Sequence, residues 1–186
     1  KQKVLGEGSG MLLLESLQTA QERGAEILAE VLGYGMSMDA GEFCEQNLEI
    51  EGLVYACQTS LDRSNIDFSE IDLIVWAAQG NIQDKKILKA CKKVFGPDFQ
   101  RIPMVTTTFN TGYIESASAL VSLACALISL KNGNDLWPQI TGLSEIDNKV
   151  FEGRPRNLLV VGSSDVGYNF SVVIKPMPLK EVEVDE

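Results

Sequence analysis

Apolar and polar positions along this chain switch between a period of two and a period near 3.6, and the switches mark alternating strands and helices. Residues 10–15 (GMLLLE) read as a strand, and SLQTAQERG after them as a short helix ended by Gly24. Residues 27–38 (ILAEVLGYGMSM) alternate weakly between glycines, which suits a long, bent strand, and 39–49 read as a loop. A helix follows, with Ile50, Leu53, Val54, Cys57 and Leu61 on one face. Residues 71–78 (IDLIVWAA) form a nearly continuous apolar run, as expected of a strand covered on both faces. The helix predicted over 84–95 is sharply two-sided. Ile87, Leu88, Cys91, Val94 and Phe95 make its apolar side, Lys85, Lys86, Lys89, Lys92 and Lys93 the other, and Gly96-Pro97 stops it. Residues 102–106 predict a short strand. From Tyr113 to Leu130 the polar members are mostly serines, and Ala117, Ala119, Ala124 and Ala126 surround the axis, so this helix is expected to be buried all round. Lys131-Asn132-Gly133 ends it. Two more strands, NLLVVGS (157–163) and NFSVVIK (169–175), precede an acidic tail, 179–186, expected to be mobile.

Strands alternating with helices, several of the strands apolar throughout, predict an α/β fold: a layered mixed sheet with helices on both faces. A central helix buried on every side calls for more than two layers, so it is expected to meet another chain or a further half. At 186 residues and 45% hydrophobic, the chain can bury one substantial core. The longest apolar stretch, Tyr113–Leu130, contains Glu115 and four serines, which argues against a membrane span. The opening KQKVLGEGSG lacks the apolar core of a signal peptide.

Charge and residue chemistry narrow the function classes. A formal charge of −10 argues against nucleic-acid binding, which needs clustered positive charge. Cys44, Cys57, Cys91 and Cys125 are widely spaced, with no CxxC pair, which gives no disulfide framework and no metal site and fits reduced thiols in a cytoplasm. The sequence has no histidine. Ser-His and Cys-His dyads are therefore excluded within it, and no side chain ordinarily titrates near neutrality.

Four segments carry a resemblance. Residues 6–40, GEGSGMLLLESLQTAQERGAEILAEVLGYGMSMDA, resemble the middle of β-ketoacyl-acyl-carrier-protein synthases, the condensing enzymes of fatty-acid and polyketide assembly. IDLIVWAAQGN (71–81) resembles the strand and turn that read NAHGTSTPLGD in active members. IPMVTTTFNTGY (102–113) resembles VPVSSTKSMTGH, and VGSSDVGYNFSVVI (161–174) resembles the final hairpin, SNSFGFGGHNASLVF. The resemblance covers almost the whole chain but only the C-terminal part of a family member. It implies the C-terminal half of a thiolase-like fold. Residues 1–40 would be remnant closing strands of the N-terminal half, 41–178 the C-terminal thiolase-like domain, and 179–186 the tail. The half that bears the family's nucleophilic cysteine has no counterpart here.

The family's catalytic pattern does not carry over. Its first histidine falls on Gln79, before a turn shortened by roughly three positions; its lysine falls on Thr108, its second histidine on Tyr113, and its phenylalanine-rich gate on Ser163–Gly167, with Asp165 in place of an aromatic ring. The imidazoles stabilise the enolate oxygen that forms when a malonyl thioester loses carbon dioxide. Removing a preorganised donor of that kind typically costs ~10²–10³ in rate. Gln79 keeps an amide donor, and Tyr113 a phenol with a different reach. Gln79, Thr108, Tyr113 and Asp165 are thus degenerate active-site positions, and no catalytic residue is assigned. Chain-length-factor subunits show the same losses, with the fold retained and an active ketosynthase as partner.

Each remaining motif has a plainer alternative. Gly6, Gly8 and Gly10 fit no phosphate-binding spacing, and a tight strand entry accounts for them. Lys85, Lys89 and Lys93 could dock an acidic acyl-carrier protein, or could be a solvated face. Thr106, Thr107 and Thr108 could bond a phosphopantetheine arm, or simply end a strand. The resemblance implies a cytoplasmic, ketosynthase-like protein without catalytic residues, a homodimer or a heterodimer with a ketosynthase. It implies no cofactor of its own, phosphopantetheine arriving only as the arm of a carrier protein. Two alternatives stay open: part of a 3-oxoacyl-acyl-carrier-protein synthase whose cysteine lies elsewhere, and a standalone scaffold or binding module.

Overall fold

The computed structural model describes residues 4–39, 49–133 and 153–178. The tail at 179–186, most of the loop expected at 39–49, and Cys44 lie outside them.

Five strands make one sheet in the order β1-β5-β4-β2-β3: β1 (Ala29–Met38), β2 (Leu73–Trp76), β3 (Met104–Val105), β4 (Leu158–Ser163) and β5 (Tyr168–Pro176). β4 pairs parallel with β2, and β2 with β3, while β5 runs antiparallel to both β4 and β1. The apolar runs of β2 and β4 follow from covering on two faces. Ile74, Trp76, Leu159 and Val161 pack with Leu53, Cys57, Ile87 and Cys91 beneath α2 (Glu51–Ser64) and α3 (Gln83–Phe95). Leu73, Val75, Leu158 and Val160 point the other way, onto Leu123, Ala126, Leu127 and Leu130 of a further helix, Ser118–Lys131.

The bend expected in β1 is a bulge. Val31 faces Ile174 and Gly33 faces Val173, so Leu32 is an extra residue. Beyond it, Gly33 and Gly35 share the face toward α2. A Cβ on Gly35 would lie 1.9 Å from the carbonyl oxygen of Ala56, and one on Gly33 would lie 2.4 Å from that of Ser60. Strand and helix therefore meet backbone to backbone, over the small side chains Ala56 and Ser60.

Three expectations need correction. Residues 10–15 form no strand. They pair with no strand, and Met11, Leu13 and Leu14 are 92%, 77% and 75% exposed, because an apolar run can resemble a strand while a strand also needs a neighbouring edge. The segment before them is anchored instead by a single bridge, Leu5 with Tyr113, and Gly6, Gly8 and Gly10 lie against Thr111, Ile114 and Leu120. Ser16 then caps α1 (Leu17–Glu22), its Oγ accepting the Thr19 N–H at 3.1 Å.

The helix predicted from Tyr113 starts at Ser118. A short helix, α4 (Thr108–Thr111), and a 3-10 turn at Glu115–Ala117 precede it, and Gly112 and Glu115 take positive φ. The Ser118–Lys131 helix, α5, is not buried all round. Its sheet-facing side is closed, but Ile128 is 51% exposed and Leu120, Val121, Ala124 and Cys125 are half-buried. α5 covers β2 and β4, and Phe170, Val172 and Ile174 of β5 join the same cluster, while on that side Tyr34, Met36, Met38 and Tyr168 are exposed.

The third correction is on α3. Lys85, Lys89, Lys92 and Lys93 are exposed, but Lys86 is 1% exposed and forms an ion pair with the buried carboxylate of Asp39. The buried side of α3 is wider than its apolar stripe, since Gln83, Lys86 and Ala90 also point inward.

Candidate functional site

Three parallel strands end side by side, and each delivers one piece of the site. Gln79 follows β2, Thr106–Thr108 follow β3, and Ser163 closes β4. In open α/β sheets the carboxyl ends of strands are where ligand crevices form.

Gly80, with φ of 74°, turns the chain so that two successive amides face α3. The N–H groups of Gln79 and Gly80 donate to the two carboxylate oxygens of Asp84 at 2.7 and 2.8 Å. Asp84 is buried in the first turn of α3, where a negative charge also meets the positive end of the helix dipole. The Gln79 side chain is committed as well. Its Nε2 donates to the Ser163 carbonyl at 2.8 Å, and its Oε1 accepts from Asn81 at 3.3 Å.

Thr108 points into a hydroxyl cluster. Thr106 Oγ1 accepts the Thr108 N–H at 3.2 Å and donates to Thr108 Oγ1 at 3.0 Å. Thr107 is tied to α5, its hydroxyl 3.0 Å from that of Ser122. Tyr113 is buried beneath the N-terminal segment, donating its N–H to Val4 and accepting at its carbonyl from Gly6. Burial pushes its phenol up to about 12, and the carboxylates of Glu115, Asp165 and Asp84 add to the shift. The phenol is therefore neutral at physiological pH. Asp84, which caps the Gln79 turn, and Asp165 of the β4–β5 hairpin both disfavour the charged form of this phenol. Asp165 itself is exposed in the hairpin turn, residues 164–167.

The lysines expected to meet a carrier protein lie on the outer side of α3. Lys85 and Lys89 are exposed, and Lys93 is 3.3 Å from Glu51 of α2. Sequence reasoning missed Asp84, Asp39, Lys86 and Asn169. Only Asp84 left a usable signal, a carboxylate four residues after a turn glycine at a helix start.

The thiols of α2 and α3 are structural. Burial raises Cys57 to about 12 and holds Cys91 well above the ordinary thiol range. Alkylation at pH 8 followed by peptide mass spectrometry is expected to leave both unmodified in the folded chain and to label both in denaturant. Rapid labelling of either under native conditions would contradict this burial.

Residues 28–141 match the beta-ketoacyl synthase, C-terminal domain. The chain belongs to the β-ketoacyl synthase family. A 3-oxoacyl-[acyl-carrier-protein] synthase 2 of Rhizobium meliloti (strain 1021) is 29% identical over 181 residues, spanning 92% of this chain and 42% of that protein. Its counterpart in Staphylococcus aureus is 32% identical over 130 residues, spanning 69% of this chain and 32% of that protein. The β-ketoacyl synthase chain thus spans less than half the length of these curated relatives. Among solved structures, the ishigamide ketosynthase/chain length factor superposes with a TM-score of 0.76 at 27% identity, over 94% of this chain and 44% of that one. A type II polyketide synthase acyl-carrier protein in complex with its ketosynthase, AntDE:AntF, matches with a TM-score of 0.73 at 20% identity, over 88% of this chain and 42% of that one, which speaks for the fold alone. The architecture is thiolase-like, and the chain corresponds to the C-terminal part of a ketosynthase. Among the described residues, no helix is long and apolar enough to cross a membrane.

Proposed function

We propose that this ketosynthase-like chain is a non-catalytic partner subunit in fatty-acid or polyketide chain elongation, pairing with an active ketosynthase in the cytoplasm. The observation that carries the reading is the state of Gln79. Where the family places an imidazole, this amide is bonded to the Ser163 carbonyl and to Asn81, so it serves the packing of the turn. Thr108 is held by Thr106, and the sequence offers no histidine to take over. The similarity to a ketosynthase/chain length factor supports the pairing. The chain needs no cofactor of its own; a phosphopantetheine arm enters only on a carrier protein. The test is reconstitution with an active ketosynthase, carrier protein and malonyl thioester. Elongated product is expected only when both subunits are present, and malonyl decarboxylation by this chain alone would overturn the reading.

A second reading is favoured by the exposed Tyr34, Met36, Met38 and Tyr168 of β1 and β5 and by the unpaired, largely exposed residues 10–15. In it, this sequence is part of a 3-oxoacyl-acyl-carrier-protein synthase, and polypeptide outside it covers that face and supplies the nucleophile. Full-length protein that forms an acyl-enzyme would select this reading.

The proposed carrier-protein contact is the exposed side of α3. Lys85→Glu combined with Lys89→Glu is expected to weaken carrier binding to the assembled complex by about three- to tenfold at low salt, with the difference shrinking as salt screens it. Lys93, already beside Glu51, should add less. Unchanged binding in the double variant would leave α3 a solvated face.

A further inference from the structure

Lys86 does more than fill the wider buried side of α3. Its ammonium pairs with one carboxylate oxygen of Asp39, the residue that follows β1. The other oxygen of Asp39 accepts from Asn169 Nδ2 at 2.9 Å, and the Asp39 N–H donates to the Gly167 carbonyl at 3.0 Å. Asn169 Nδ2 also reaches that carbonyl at 3.2 Å, while its Oδ1 accepts from Ser163 Oγ at 2.8 Å. Ser163 in turn receives the Gln79 amide. One unbroken path of charge and hydrogen bonds therefore runs from α3, through the end of β1, into the hairpin turn 164–167 and on to the Gln79 turn. Gly167 lies directly against Asp39, where a Cβ on the glycine would sit 3.5 Å from that of the aspartate.

We propose that Lys86 is a positioning residue whose charge, acting through Asp39, fixes the 164–167 turn beside Ser163, whose carbonyl holds the Gln79 amide. The physical reason is that a buried carboxylate is tolerated only while it is compensated. Without the ammonium the buried carboxylate of Asp39 is uncompensated, and a move toward water draws it away from Asn169 and Gly167. The turn keeps ties of its own, from Tyr168 N–H to Ser164 Oγ at 3.0 Å, from Ser164 N–H to the Tyr168 carbonyl at 2.8 Å and from Gly167 N–H to the Ser164 carbonyl at 3.1 Å, so it loosens without unfolding. The inference concerns how the turn is held, and it stands whether or not the chain is catalytically silent.

Site-resolved amide hydrogen exchange on the full chain tests it. In Lys86→Met, the amides of residues 167–169 are expected to exchange about tenfold faster than in the wild type, over and above any change at Val75 and Val160 in the sheet core. Lys86→Met with Asp39→Asn removes both charges and should return the excess to within about threefold of wild type. Lys86→Arg, which keeps the charge, should show little excess. If Lys86→Met does not fold, Lys86→Gln takes its place in the same comparison. Acceleration by one common factor throughout the molecule would make Lys86 a stabilising residue with no hold on the turn. No change at 167–169, or no rescue in the double variant, would overturn the proposal equally.

Discussion

Asp84→Ala is expected to lower the unfolding free energy by roughly 2–5 kcal/mol, because it strands one buried and one part-buried backbone donor at once. The carboxylate accepts the N–H groups of Gln79 and Gly80 at 2.7 and 2.8 Å. Chemical denaturation reads the effect directly, as a midpoint displaced by about 1–2 M in urea with an unchanged slope. Asp84→Asn keeps one acceptor oxygen and should lose about half as much. The Gln79–Ser163 bond depends on the same turn, so the alanine variant should also disorder the junction between β2 and β4. A midpoint indistinguishable from wild type would mean that the turn is held by its neighbours and not by the carboxylate.

Gly35→Val is the second large effect, expected at roughly 3 kcal/mol or more. The space a side chain would need is occupied by the Ala56 carbonyl, which belongs to a helix backbone and cannot rotate aside. Relief requires α2 to lift from β1, and that would part Leu53 and Cys57 from the sheet residues beneath them. Gly35→Ala should already be costly. Val31→Thr, an exposed position of the same strand on the near side of the bulge, should change little. Equal stability of Gly35→Val and wild type in thermal or urea unfolding would show that strand and helix are not in backbone contact.

What the sequence revealed depended on whether the signal was local. β2 and β4 were legible because a strand covered on both faces has nowhere to place a polar side chain, and IVW and LLVV show it. α2 and the apolar stripe of α3 were legible from spacing alone. Residues 10–15 misled because an apolar run is a property of the segment, whereas pairing is a property of its surroundings. Lys86 misled for the opposite reason: lysine belongs to the polar side by type, and only its partner Asp39, 47 residues earlier, makes burial tolerable. The site positions were found by resemblance, but their bonding was not. Nothing near Gln79 announces that its amide will be taken up by Ser163, 84 residues away. Contacts of that kind are set by the order of strands in the sheet, which puts β4 beside β2 although α3, β3 and α5 intervene in sequence.

The pairing of β1 with β5 has a consequence for how the molecule is made. Ala29 finds its partner at Pro176, so the edge strand waits through synthesis of nearly the whole described chain before its hydrogen bonds can close. A nascent polypeptide released before residue 168 would hold α2 against a strand with no neighbour. Such non-local closure slows folding and lengthens the interval in which a sticky edge is bare. Ribosome-stalled chains truncated before and after β5 should accordingly differ in protease resistance at β1, the first-made strand of this sheet being the last one secured.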